Sequence, residues 1–223
     1  MENFINHKSL VDQIVQGLEK EILEGTLTPG QRIIEAAICK RLRISRSPVR
    51  EAFRILESEG FVVREARKGV SVVGLSLQEA EDIYRIRANL ESLAAYLAVE
   101  KQSPEVLKKL KKLHIQMTEV AAAGNVEAYS NLNLEFHDIL INACENRRLI
   151  QLIKTFSKQT MRYRLEGRSV PGWMNSSLKI HEAIIQSFES GDAEEAERLR
   201  KNAILSHIQR FTRKSRRGKK GEN

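Results

Sequence analysis

The stretch "RISRSPVREAFRILESEGFV", residues 43–62, decides the fold. Its apolar positions Val49, Ala52, Phe53 and Leu56 recur at i, i+3, i+4 and i+7, the spacing of a helix that buries one face. Arg46, Arg50 and Arg54 recur every four residues on or near the opposite side, behind Arg43. Such a ridge is either a solvated surface or a face shaped to meet a polyanion. A guanidinium fork pairs bidentately with phosphate or with guanine O6 and N7, so the second reading gives these residues a task. Ser47 fits the N-cap and Pro48 the first helical position, and Gly60 stops the helix. Ser45 and Ser47 add hydroxyls at a helix N-terminus, a natural seat for phosphate.

Upstream, "KSLVDQIVQGLEKEILEG" places Leu10, Ile14, Val15, Leu18 and Ile22 on one helical face. "TLTPGQRI" follows as a Pro-Gly turn, and "IEAAICKRLR" as a second short helix with Lys40 and Arg41. Downstream, "FVVREA" and "GVSVVG" are β-rich runs split by "RKG", a hairpin with Lys68 at its basic tip. Three helices and a hairpin in that order predict a winged helix-turn-helix over residues 1–75. Its second helix would enter the major groove N-terminus first.

From residue 76 the periodicity is helical throughout. Ser76 opens "LQEAEDIYRIRANLESLAAYLAVEK", and Ser103-Pro104 opens a helix ended by Gly124. "VEAYSNLNLEFHDILINAC", "RRLIQLIKTFSKQTMRYRLEG", "GWMNSSLKIHEAIIQSFES" and "AEEAERLRKNAILSHIQRF" complete six. Short connections between helices of about five turns predict an antiparallel six-helix bundle over 76–212. The fold class expected is mainly α.

The net charge of +8 is unevenly placed. Residues 40–54 hold six Lys and Arg against Glu51 alone, and residues 210–223 hold seven against one acid. The segment 213–223 reads as a basic, disordered tail that adds non-specific attraction to a polyanion. No apolar run approaches the roughly eighteen residues of a membrane span, and "MENFINHKSL" is no signal peptide. Cys39 and Cys144 sit in no metal-like spacing and read as small core residues in a reducing, cytoplasmic setting.

"PGQRIIEAAICKRLRISRSPVREAFRILESEGFV" followed by "RKGVSVVG" resembles the DNA-binding domain of the GntR family of bacterial transcription regulators. That resemblance implies DNA contacts from Arg46, Ser47, Arg50 and the wing glycine, Gly69, beside Lys68. Many members carry a Glu-Arg pair at the start of the second helix, whereas here Glu35 precedes Ala36.

His137, His181 and His207 each lie beside the apolar positions of a separate long helix. Each could be a hydrogen-bonded core residue, or the three could converge on a metal, as bundle cores allow. Neutral imidazole suits zinc, nickel, copper or iron. Asn133, one turn before His137, could add its amide oxygen. "IYRIRANLESLAAYLA", "NLEFHDILINACEN" and "HEAIIQSFESGDAEEA…LSHI" resemble the ligand-binding domain of the FadR-like branch, and six helices its VanR-type subgroup. Many such domains hold a divalent metal with one Asp and three His, completed by a carboxylate metabolite. The resemblance carries the histidines to His137, His181 and His207 and puts Asn133 where an Asp is expected. Arg87 in "YRIRANLE" is a candidate effector clamp, with Glu91 one turn on. On a solvated helix the same pair would be worth only about 0.3–0.5 kcal/mol. Trp173, the only tryptophan, reads as a packing anchor.

The sequence therefore points to a regulator, not an enzyme: a homodimer binding a palindromic operator in double-stranded DNA. A small carboxylate metabolite, with a divalent ion such as zinc or nickel, would act through the junction near 74–76. Two rivals follow from the same residues. A bundle that only dimerises would sense nothing, and a three-histidine metal enzyme would need an acid or base such as Asp138 or Glu182 near the metal.

Overall fold

The computed structural model describes residues 9–65, 69–74, 76–161 and 172–218, with side chains of the last helix to residue 209. The chain divides into two compact units that meet between Ser76 and Leu77.

In the first unit, helix α1 (Leu10–Leu23) opens on a reciprocal cap. The Asp12 amide donates to Ser9 Oγ and the Ser9 amide to Asp12 Oδ2, both at 3.1 Å. Ile14, Val15, Leu18 and Ile22 are buried, as their spacing requires, whereas Leu10 at the helix start is exposed. Strand β1 (Arg32–Ile33) precedes α2 (Glu35–Leu42) and α3 (Arg46–Ser58). Between them Arg43 adopts the left-handed conformation at φ 56°, closing α2 with its amide on the Cys39 carbonyl. Val49, Ala52, Phe53 and Leu56 are all buried and pack on α1 and the sheet. Strands β2 (Val62–Glu65) and β3 (Gly69–Val72) form the expected hairpin. The sheet gains a third strand, because Arg32 pairs with Ser71 and Ile33 with Val70, giving the antiparallel order β1-β3-β2.

The second unit holds α4 (Leu77–Glu100), α5 (Pro104–Ala122), α6 (Val126–Ala143), α7 (Arg147–Gln159), α8 (Trp173–Ser190) and α9 (Ala193–Gly218). The fourth of these was expected to reach Gly167; residues 162–171 lie outside the described ones. The last helix continues to Gly218, where a disordered tail was expected from 213, and residues 219–223 are not described. Helix α4 is the centre of the unit and packs on α9, α6 and α7. Ala80, Ala88, Ala94, Ala95 and Ala98 line its buried surface, and side chains this small let neighbouring helices approach. Leu110, Met117, Tyr129, Phe136, Leu140 and Ile184 fill the main core between α5, α6 and α8. Burial on this scale contributes about 25 cal/mol per Å² of apolar surface and carries most of the helices' stability. Among the described residues no helix is long and apolar enough to cross a membrane.

Candidate functional site

The first unit presents its cations on α3. Ser45, not Ser47, is the N-cap, and its hydroxyl makes no cap bond. The helix thus starts two residues earlier than Pro48 suggested. Proline is accommodated at the third position because first-turn N–H groups have no acceptor within the helix. Ser45, Arg46, Ser47, Arg50 and Arg54 are exposed, while the opposite face is the core. The side chains of Arg46 and Arg50 are 70% and 56% exposed. Glu35, at the start of α2, draws the two together: Arg50 Nε donates to its Oε2 at 2.9 Å, and Arg46 Nε lies 3.9 Å from its Oε1. Position 35 therefore aligns the arginines of the next helix, a task the pattern around Ala36 did not reveal. Gly69 opens the wing's second strand at φ +90°, where any side chain is strained. Lys68 lies outside the described residues.

The second unit holds a partly open cavity of about 90 Å³, room for several water-sized groups. Helix α4 lines it with Tyr84 and Arg87, α6 with Asn133 and His137, and α8 with Trp173, Ser177, Ile180 and His181. Arg200, Ala203, Ile204 and His207 of α9 complete the wall. Each helix supplies residues three, four or seven apart, so one face of each points inward.

Arg87 and Glu91 are 2% and 1% exposed, so the pair is buried rather than solvated. Arg87 Nε and Nη2 donate to Glu91 Oε1 at 3.0 and 2.6 Å, and Nη1 donates to Thr160 Oγ1 at 2.7 Å. Burial alone would weaken the charge of Arg87, but Glu91 and Tyr84 outweigh it, and its guanidinium holds its proton more firmly than usual. The other Glu91 oxygen is bonded by Arg200 Nη2. Arg200 is itself buried, and its Nη1 lies 3.2 Å from His137 Nε2. A guanidinium only donates, so His137 Nε2 accepts and the ring proton sits on Nδ1.

His137 and His181 come together, with their Nε2 atoms 3.4 Å apart, but His207 does not join them. Its Nδ1 faces the Tyr84 hydroxyl at 3.3 Å, and the two rings stack 5.7 Å apart. Asn133 accepts a hydrogen bond from Ser177 Oγ at 3.3 Å. The four expected ligands thus line one cavity, each with a protein partner. The lone pair that His137 would offer an ion is spent on a guanidinium, whose charge also repels a cation. Among the described residues, no three of His, Cys, Asp and Glu are grouped to hold a metal. Trp173 meets Tyr129 edge-on at 5.1 Å, so it anchors packing while also bounding the cavity. His114, for which the sequence offered no partner, lies 3.3 Å from the Leu178 carbonyl. Neither cysteine forms a disulfide, and Cys144 is buried while Cys39 is half-buried.

Arg200 and Tyr84 were missed. Arg200 lies seven residues before His207, on the same helix face as Ala203 and Ile204, where a charge needs a reason. Tyr84 lies three before Arg87.

His181 carries a testable consequence. Burial first, then the charges of Arg200 and His114, push its pKa from 6.5 down to about 3. The unfolded chain takes a proton below 6.5 that the folded chain refuses, so stability falls as pH drops from 6.5 toward 3. The loss approaches about 1.4 kcal/mol per pH unit. Urea midpoints taken from pH 7.5 to 5 should drop accordingly, and His181→Gln should flatten the profile.

A helix-turn-helix with unburied arginines on its second helix, followed by a helical unit with a cation-lined cavity, has the parts of a DNA-binding transcription regulator. Residues 10–72 match the bacterial regulatory proteins of the gntR family and residues 82–210 the FCD domain. The chain belongs to the gntR family, with the all-helical C-terminal FCD domain of its FadR-like branch. It is 32% identical over 198 residues to the uncharacterized HTH-type regulator YdhC of Bacillus subtilis, spanning 88% of this chain and 86% of YdhC. The gluconate operon repressor of the same organism is 27% identical over 81% of this chain and 76% of its own length. The solved structure of E. coli McbR/YncC shares the fold with a TM-score of 0.75 at 22% identity, over 94% of this chain and 100% of that one.

Proposed function

We propose that the chain is a cytoplasmic, ligand-responsive repressor that binds a palindromic operator as a homodimer and loosens from it when a small carboxylate enters the helical unit. The observation behind this reading is the pairing of two cationic sites of opposite character. The α3 arginines are exposed, as a phosphate and base-edge reader requires, whereas Arg87 and Arg200 are buried, as a small-anion site requires. One recognition helix covers only a few base pairs, so two half-sites about one helical turn apart supply the missing specificity. Repression is also what the names of the gluconate relative and a D-xylose utilization operon relative record for those proteins.

Selection from a random duplex pool tests the reading. The recovered sequences should be inverted repeats, and affinity should fall steeply and log-linearly with salt. Sequences without two-fold symmetry, or salt-independent binding, would remove the proposal. A helical unit that only dimerises would leave operator affinity unchanged by every carboxylate that binds it.

A further inference from the structure

We propose that the cavity takes its effector without a metal ion, the buried guanidinium of Arg200 supplying the positive charge, and that the effector is a small carboxylate with a short apolar body. The inference deepens the regulator reading above and rests on it.

The first observation is a charge imbalance. Arg87 and Arg200 share the single carboxylate of Glu91, and among the described residues no acid lines the cavity itself. His137, accepting from Arg200, is neutral. Among the described residues the Arg87–Glu91–Arg200 cluster therefore holds one cation more than anions, and an unpaired buried charge is strongly disfavoured. A second carboxylate would complete the neutralisation, turning two guanidiniums on one acid into two ion pairs.

The second observation is an unmet donor. Arg200 is 5% exposed, lines the cavity, and its Nε has no hydrogen-bond partner among the described residues. Buried donors of this kind are rare and call for a partner. The third is the position of Arg200, on the His137 nitrogen that could otherwise ligate a metal. A divalent ion there would sit against a fixed cation. The fourth is the rest of the lining: Trp173, Ile180, Ala203 and Ile204 offer apolar surface for the body of a carboxylate whose head meets Arg200.

The test uses the full chain stripped by a chelator and dialysed. Benzoate and butyrate serve as carboxylate probes, benzamide as a neutral control, inorganic phosphate as another anion, and zinc chloride as the metal. A carboxylate near saturation should raise the melting temperature by at least about 2–4 °C with no metal present. Benzamide and phosphate should not, and zinc should fail to bind stoichiometrically. Arg200→Gln should weaken carboxylate binding about 10–100-fold, the cost of losing a charged hydrogen-bond donor. Arg200→Lys keeps the charge without the fork and should retain part of the affinity. If neither variant folds, the probes on the parent chain decide.

Several results would overturn the proposal: one zinc per chain lost in His137→Ala, a carboxylate response that appears only with zinc, or an Arg200→Gln response equal to the parent's. Silence toward both carboxylates, or a response to phosphate alone, would overturn it as well. Operator binding measured on the same preparation separates the two readings. Lost duplex binding would sink the regulator, whereas intact duplex binding with any of those results would sink only the metal-free carboxylate site.

Discussion

Glu91→Ala is expected to destabilise the helical unit by about 3–5 kcal/mol, the range for breaking a buried ion pair from one side. The substitution would leave Arg87 and Arg200 facing each other with no anion between them. Whole domains are stable by only about 5–15 kcal/mol, so the variant would be close to unfolding at body temperature. Glu91→Gln should cost less, because the amide oxygen still accepts from Arg87, though it no longer offsets either charge. Calorimetric melting of both variants beside the parent makes the comparison. A loss under about 1 kcal/mol for Glu91→Ala would mean that the pair is solvated and the charge cluster is not what holds α4 to α9.

The second large effect concerns DNA. Arg46→Ala and Arg50→Ala should each weaken operator binding by about 10–100-fold, since a good bidentate contact is worth about 1–3 kcal/mol. Both side chains are exposed, so folding should move by no more than about 0.5 kcal/mol. Fluorescence anisotropy at one fixed salt concentration reads the affinity, and far-ultraviolet circular dichroism checks the fold. Arg54→Ala should instead act mostly on the salt slope, as loss of a phosphate contact does. Unchanged affinity in both Arg46→Ala and Arg50→Ala would remove α3 as the reading helix.

The fold was legible where periodicity is strong. Val49, Ala52, Phe53 and Leu56 announce the core of the first unit by spacing alone, and all four are buried. Strand β1 was not legible, because two residues show no alternation and Arg32–Ile33 is a strand only through pairing with β3. The start of α3 was misplaced because Pro48 is tolerated anywhere in a first turn, so proline marked the turn and not its first residue. Among the site residues, Arg87 and Glu91 could be read as a pair but not as buried, since i, i+4 spacing is the same on either face of a helix. The histidines show the wider limit. Their positions on three helices are local facts, whereas convergence depends on how the helices pack, and on Arg200 arriving from a fourth position to take the His137 lone pair.

The turn between α2 and α3 carries one more consequence. Arg43 holds a backbone conformation that glycine adopts freely and that costs other residues about 1–2 kcal/mol. Arg43→Gly would relieve that strain, and it would also remove a cation three residues ahead of Arg46.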